Sequence, residues 1–190
     1  MLAFIDLQAQ RARIADRIDA AIAQVLAHGG YILGPEVKAL EGQLAAFCGA
    51  NHCLANANGT DALALPLMAW GIKYGDAIFC PSFTFAATAE VAPWVNATPV
   101  FVDVLPDTYN MDPASLEAAI DGVKRDGKLT PKVIIAVDLF GQPADDRARV
   151  TPPAGVRPLA ARRELRTFRF GPVFDDDEAV GCGFGLDSDA

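Results

Sequence analysis

The chain has 190 residues, of which 52% are hydrophobic and 21% are charged, and its formal net charge is −8. This length is enough for one well-packed domain and part of a second. The composition is that of a soluble globular protein and not of a disordered one. The negative charge argues against nucleic acid as a partner, because no basic face could neutralise a row of phosphates.

Targeting signals and metal-binding patterns are not evident in the sequence. The opening Met1–Asp6 has no basic region, unlike a secretory signal peptide, and no apolar run is long enough for a membrane span. We therefore expect a cytoplasmic protein with no membrane partner. The two histidines are too few for a catalytic triad or a metal site. No metal-ligand spacing joins the cysteines, which we expect to be reduced core thiols: Cys48, Cys53, Cys80 and Cys182.

Predicted helices and strands alternate along most of the chain. Apolar residues at helical spacing, with turn residues between them, predict helices at about 8–27, 36–48, 61–70, 86–95 and 113–120. Short apolar runs predict strands at about 52–57, 77–80, 99–104 and 132–137. This alternation predicts an α/β fold of three layers, with a mostly parallel sheet and helices on both faces.

The segment Asn56–Leu63 reads as a strand end, a glycine turn and the start of a helix. Gly59 has no Cβ, so the backbone can turn sharply there and a ligand can come close. Thr60 is the expected N-cap, and the N-terminus of the helix that follows is suited to an anion such as phosphate. Such corners occur in nearly every α/β protein and most of them bind nothing, so this motif alone is weak support for a site.

In parallel sheets, ligands bind beyond the carboxyl ends of the strands. The Gly59 turn, the segment Ser82–Phe85 and the loop Phe140–Gln142 each follow a predicted strand. We therefore expect these three segments to converge on one crevice.

Six phrases stand in order between residue 1 and about residue 146: Phe4–Leu7, Tyr31–Val37, Asn58–Leu63, Pro81–Ala89, Pro99–Asp103 and Leu139–Asp145. In this order and spacing they resemble the DegT/DnrJ/StrS family of sugar aminotransferases, which use pyridoxal 5′-phosphate (PLP) on the fold-type I scaffold. The resemblance implies that residues 1–146 are part of the family's large domain. Residues 147–190 do not match, and we expect an irregular tail there, either frameshifted or divergent.

The resemblance also implies where the cofactor binds. Gly59 and Thr60 match the residues that grip the phosphate, and Phe85 matches the aromatic position that stacks on the cofactor ring. An ordinary core phenylalanine is the alternative for Phe85. Gln142 is expected to line the pocket, and a simple turn role is equally open.

The chemistry implied by the resemblance is amino transfer. PLP acts as the electron sink, a Schiff-base lysine holds it and moves the proton, and an amino donor, usually glutamate, supplies the nitrogen. A nucleotide-linked keto-sugar receives that nitrogen, and the family's enzymes work as homodimers.

The sequence departs from this pattern after about residue 146. Its five lysines do not match the Schiff-base position, and none follows residue 132: Lys38, Lys73, Lys124, Lys128 and Lys132. No catalytic residue can therefore be assigned, and we expect the chain to be inactive on its own.

Two alternatives to amino transfer remain open, and a third is disfavoured. The chain is a non-catalytic remnant that binds PLP or a partner subunit, or it is a relative of the dehydratases that use histidine in place of the lysine. An unrelated nucleotide-binding module is disfavoured, because neither a Gly-x-Gly-x-x-Gly nor a Walker loop is present.

Overall fold

A computed structural model describes residues 5–48, 50–141, 157–162 and 170–171 of the chain. It divides into two compact units, Met1–Leu40 and Glu41–Ala190. The boundary falls inside helix α3, which runs from Pro35 to Cys48.

In the first unit, two helices lie where the apolar spacing predicts one at 8–27. Helix α1 covers Leu7–Ala12 and helix α2 covers Ala15–His28. The break is made by a tight hydrogen bond from the Ile14 N–H to the Arg11 carbonyl, at 3.0 Å. Periodicity could not reveal this break, because the helical spacing of the isoleucines begins only at Ile14, on its C-terminal side.

His28 connects the end of α2 to the first turn of α3. Gly29 takes the left-handed conformation that ends α2, with φ of 68°. The His28 Nδ1 accepts a hydrogen bond from the Gly30 N–H, so its Nε2 carries the proton and donates to Glu36 Oε1, each bond being 3.0 Å long. A hydrogen bond from the Glu36 backbone, and then the His28 contact, hold the pKa of the Glu36 carboxyl below its usual 4.5.

The second unit contains the sheet, whose strand order is β2-β1-β3-β4-β5. The strands are β1 (Asp76–Pro81), β2 (Thr98–Val102), β3 (Thr130–Asp138), β4 (Arg157–Arg162) and β5 (Phe170–Gly171). The pairs β1–β2, β1–β3 and β3–β4 are parallel, and only β5 is antiparallel to its neighbour. The predicted mostly parallel sheet is confirmed.

Helices cover both faces of this sheet, as predicted for three layers. The helices of this unit are α4 (Gly59–Ala69), α5 (Ala87–Trp94) and α6 (Pro113–Asp126). Strand residues alternate between the faces, so Ile78 of β1 packs with α4 and α5 while the next residue, Phe79, packs with α6. Ile135 and Ile134 of β3 divide in the same way.

One expectation about strands was wrong. Residues 52–57 form no strand in the structure. The Ala55 N–H in this segment donates instead to Glu41 Oε1, at 2.9 Å. Within residues 147–190, where an irregular tail is expected, the described residues 157–162 form β4, which pairs along its whole length with β3.

Helix α6 begins as its sequence predicts. The Asp112 side chain accepts a hydrogen bond from the Ala114 N–H at 2.9 Å, and Pro113 occupies the first helical position, where its missing N–H costs nothing.

Candidate functional site

Strands β1, β2 and β3 all end at the same edge of the sheet, because they are parallel. From the central β1 the chain passes through α5 to β2 on one side, and then through α6 to β3 on the other. In open α/β sheets, ligands usually bind at such a reversal of direction, which here lies beside the carboxyl end of β1.

The N-terminus of α4 lies at this edge. Helix α4 packs on the sheet through Leu63 and Leu67 and leads by a short connection into the start of β1. It therefore runs opposite to β1, and its first turn lies at the carboxyl ends of the strands. This places the Gly59 turn on the expected side, although no strand precedes it.

Asn58, and not Thr60, is the N-cap of α4. Its backbone is extended, with φ of −161° and ψ of 172°, and its side-chain oxygen accepts a hydrogen bond from the Asp61 N–H at 2.9 Å. The Asn58 amide nitrogen lies 3.0 Å from Asp61 Oδ2 and donates to it. Asparagine is among the best N-caps, so the cap moves two residues upstream and Thr60 becomes the second residue of the helix.

The cap leaves the N–H groups of Gly59 and Thr60 available to a ligand. A helix cannot satisfy its first N–H groups internally, and within the described part of the chain neither of these two has an acceptor. Beyond its chain neighbours and its own helix backbone, a Cβ placed on Gly59 would meet no heavy atom of the described residues within 4 Å, and Gly59 does not have a positive φ. The glycine therefore provides open space for a ligand and is not required by a strained turn, so these residues fit a phosphate group.

Phe85 is a surface residue and not a core residue. Its side chain is 63% exposed, and within the described residues no other aromatic ring contacts it. It lies between the end of β1 and the start of α5, next to Thr84, whose hydroxyl is 3.0 Å from that of Thr88. An exposed ring at the carboxyl edge is able to stack on a flat ligand. Gln142 lies outside the described residues.

Three other aromatic rings meet at the same edge, and the sequence analysis did not identify them as a group. Phe83, Tyr109 and Phe140 follow β1, β2 and β3 respectively. Their ring centroids are separated by 5.2 Å (Phe83–Tyr109), 6.4 Å (Phe83–Phe140) and 5.6 Å (Tyr109–Phe140). We call these three residues the edge aromatic cluster. The only signal in the sequence was that each lies just beyond a predicted strand.

Other reactive groups do not add to the site. Burial raises the pKa of the Cys80 thiol to about 11, so at neutral pH this cysteine is not a nucleophile. Among the described residues, no group of three or more His, Cys, Asp or Glu side chains could hold a metal ion. No helix in the described ranges is long and apolar enough to cross a membrane.

The model of the DegT/DnrJ/EryC1/StrS aminotransferase family matches residues 12–150. This chain belongs to that family. It is 54% identical over 147 residues to the UDP-2-acetamido-2-deoxy-3-oxo-D-glucuronate aminotransferase of Pseudomonas aeruginosa, covering 76% of this chain and 38% of the relative. It is 41% identical over 180 residues to the UDP-N-acetyl-3-dehydro-α-D-glucosamine 3-aminotransferase of Acidithiobacillus ferrooxidans, covering 94% of this chain and 43% of the relative.

Solved structures show the same relationship. A DegT/DnrJ/EryC1/StrS aminotransferase from Brucella abortus is similar with a TM-score of 0.80 and 53% identity, over 84% of this chain and 43% of the other. NtdA from Bacillus subtilis, with pyridoxamine phosphate (PMP) bound as cofactor, is similar with a TM-score of 0.68 and 26% identity, over 77% of this chain and 32% of the other. The chain thus spans less than half the length of the proteins that it matches.

Proposed function

We propose that this chain carries the cofactor-phosphate and ring-stacking part of a PLP-dependent aminotransferase acting on nucleotide-linked keto-sugars. The observation that carries this proposal is the open N-terminus of α4. Two N–H groups that have no acceptor among the described residues, and open space above Gly59, lie at the carboxyl edge of a parallel sheet. Membership of the family and the UDP-sugar aminotransferases among the relatives support the same function.

The residues of this chain divide the work of binding. The N–H groups of Gly59 and Thr60, the Thr60 hydroxyl and the positive end of the α4 dipole hold the phosphate of PLP. The Phe85 ring stacks on the flat pyridine ring and keeps water from that face. We assign Gln142 to the same pocket on the family resemblance alone. When bound, PLP supplies an electron sink that lets an amino group move from the donor, glutamate, to the keto-sugar.

Amino transfer by this chain would need a lysine that can form a Schiff base with PLP. No lysine follows Lys132, and the one lysine close to the site in sequence, Lys73, lies before β1, at the opposite edge of the sheet. We propose that PLP binds here without a Schiff base and that the chain does not transfer amino groups alone. Residues 1–146 then carry the proposed binding residues, and residues 157–162 extend the same sheet as β4. We propose that the enzyme acts in the cytoplasm as a homodimer.

The second candidate function is that of a non-catalytic remnant that binds PLP or a partner subunit. The observation that favours it is the same absence of lysines after residue 132. A dehydratase of the same fold would need a histidine at the lysine position. The two histidines, His28 and His52, both precede the α4 site in sequence.

The test is to compare ligands that differ only in the phosphate. Equilibrium dialysis of the full chain with PLP and with pyridoxal should show tighter binding of PLP by about 10- to 150-fold, because hydrogen bonds to a charged group contribute about 1.5–3 kcal/mol. Equal affinities would refute the phosphate site. Glutamate added to the PLP-bound chain should release 2-oxoglutarate no faster than free PLP does. Faster release would refute the absence of amino transfer and rule out the remnant.

A further inference from the structure

The edge aromatic cluster is built by three separate loops. Strands β1, β2 and β3 are adjacent in the sheet, and each is followed by a loop that supplies one ring. All three pairs of rings are in contact, with interplanar angles of 39° (Phe83–Tyr109), 44° (Phe83–Phe140) and 83° (Tyr109–Phe140). Residues separated by up to 57 positions in sequence are therefore brought together at one point of the carboxyl edge.

Two of these rings are held by unfavourable backbone. Tyr109 and Phe140 have φ of 58° and 57°, in the left-handed region that bulky side chains rarely adopt. The Tyr109 N–H donates to the Leu105 carbonyl at 2.8 Å, and the Leu105 N–H donates to the Asn110 carbonyl at 2.9 Å. These bonds fix the loop in its strained shape. Backbone strain of this kind concentrates at ligand and active sites.

Burial does not account for the cluster. The side chains of Phe83, Tyr109 and Phe140 are 49%, 42% and 75% exposed. Rings that stabilised the fold by burial would lie in one of the two core clusters, and none of the three does. The arrangement instead presents exposed π-faces at the edge of the sheet where ligands bind.

We propose that the edge aromatic cluster stacks on the nucleobase of the nucleotide-linked substrate. This inference rests on the proposed function for the nature of the ligand, and both relatives named above act on UDP-linked sugars. Because the rings are tilted against one another, a base lying flat on one ring meets the edge of another, which is the favoured geometry for aromatic groups. Phe85, two residues after Phe83 and outside the cluster, remains available for the cofactor ring.

Stacking on the edge aromatic cluster determines which ligands it can tell apart. Every nucleobase has a π-face, so stacking strengthens binding without choosing strongly among bases. We therefore expect UDP and dTDP to bind with similar affinity, and both to bind more tightly than pyrophosphate, which lacks a base.

The experiment titrates the full chain with UDP, dTDP and pyrophosphate by equilibrium dialysis. Phe140→Ala should weaken UDP binding by about 5- to 150-fold, the range typical of base stacking on an aromatic side chain. It should leave pyrophosphate binding unchanged, and Phe140→Tyr should retain UDP affinity. Phe101→Ala is the matched control, because Phe101 is also exposed, at 59%, but lies on β2 outside the cluster.

A second variant separates ligand binding from folding. Tyr109→Gly removes the ring and also relieves the left-handed backbone, so it should weaken UDP binding without lowering the Tm. If Tyr109→Gly lowers the Tm and leaves UDP binding intact, the ring has a structural role and the proposal is overturned. It is overturned equally if UDP binds no better than pyrophosphate. A change in sedimentation of Phe140→Ala without a change in UDP binding would identify a protein contact instead, and also overturns it.

The PLP titration of the same samples keeps the two proposals distinguishable. If PLP binds through its phosphate while UDP affinity does not depend on the three rings, the proposal for the edge aromatic cluster is refuted and the proposed function stands. If UDP affinity depends on the three rings while PLP and pyridoxal bind equally, the proposed phosphate site is refuted and the proposal for the edge aromatic cluster stands.

Discussion

Replacing Gly59 by alanine separates the fold from the proposed phosphate site. Among the described residues, the new Cβ would meet no heavy atom within 4 Å beyond its chain neighbours and its own helix backbone, and the backbone at this position does not have a positive φ. Alanine also has a higher helix propensity than glycine. We therefore expect Gly59→Ala to change the free energy of unfolding by between about 0 and 1 kcal/mol, in the stabilising direction.

The same methyl group would occupy the space that the phosphate needs. Loss of one hydrogen bond to a charged group costs about 1.5–3 kcal/mol, so PLP affinity should fall by about 10- to 150-fold. Pyridoxal has no phosphate, and its affinity should not change. Urea unfolding measures the stability of the variant, and equilibrium dialysis with PLP and pyridoxal measures binding.

Gly122→Ala is the matched control. Gly122 lies inside α6, and a Cβ there approaches only the far end of the Arg125 side chain, at 4.0 Å. It should be stabilising to a similar degree and leave PLP binding as in the wild type. The reasoning fails if Gly59→Ala destabilises the protein by more than about 0.5 kcal/mol, or if it stabilises the protein and binds PLP normally.

Three further predictions concern stability and reactivity. Leu67→Ala should lower the free energy of unfolding in urea by about 2–5 kcal/mol, because Leu67 is fully buried between α4 and the sheet. Leu65→Ala, on the exposed side of the same helix, should change it by no more than about 0.5 kcal/mol. Equal losses of stability in the two variants would contradict this packing. Asp112→Ala should lower the free energy of unfolding by about 0.5–2 kcal/mol, because it removes the cap of α6. Asp112→Asn retains the cap and should lower it much less. Equal losses would mean that the charge of Asp112, and not its capping, stabilises the helix. Burial raises the pKa of the Cys80 thiol from 9.0 to about 11, so the unfolded chain loses this proton at a lower pH than the folded chain. The free energy of unfolding should therefore decline as pH rises from 9 towards 11. Rapid alkylation of Cys80 by iodoacetamide at neutral pH in the native protein would contradict this.

Sequence reasoning predicted the position in the fold of the proposed cofactor-site residues, but not all of their local detail. It placed Gly59 and Thr60 at the start of a helix and Phe85 after a strand, and the structure agrees on both. It named the wrong N-cap, because Asn58 and Thr60 are both good caps and only the backbone shows which side chain reaches the Asp61 N–H. It left open whether Phe85 is a core residue, because exposure depends on what packs around a ring.

The amino-acid sequence by itself determined the alternation of helices and strands, the parallel sheet, the cap of α6 at Asp112 and the family. These depend on local propensity, on apolar periodicity and on short phrases, all of which can be read from neighbouring residues. Only the tertiary structure decided that residues 52–57 form no strand and that 157–162 do, because a strand exists only where another strand pairs with it. It alone brought Phe83, Tyr109 and Phe140 together, since strand order, and not sequence distance, sets which loops meet at the edge of a sheet.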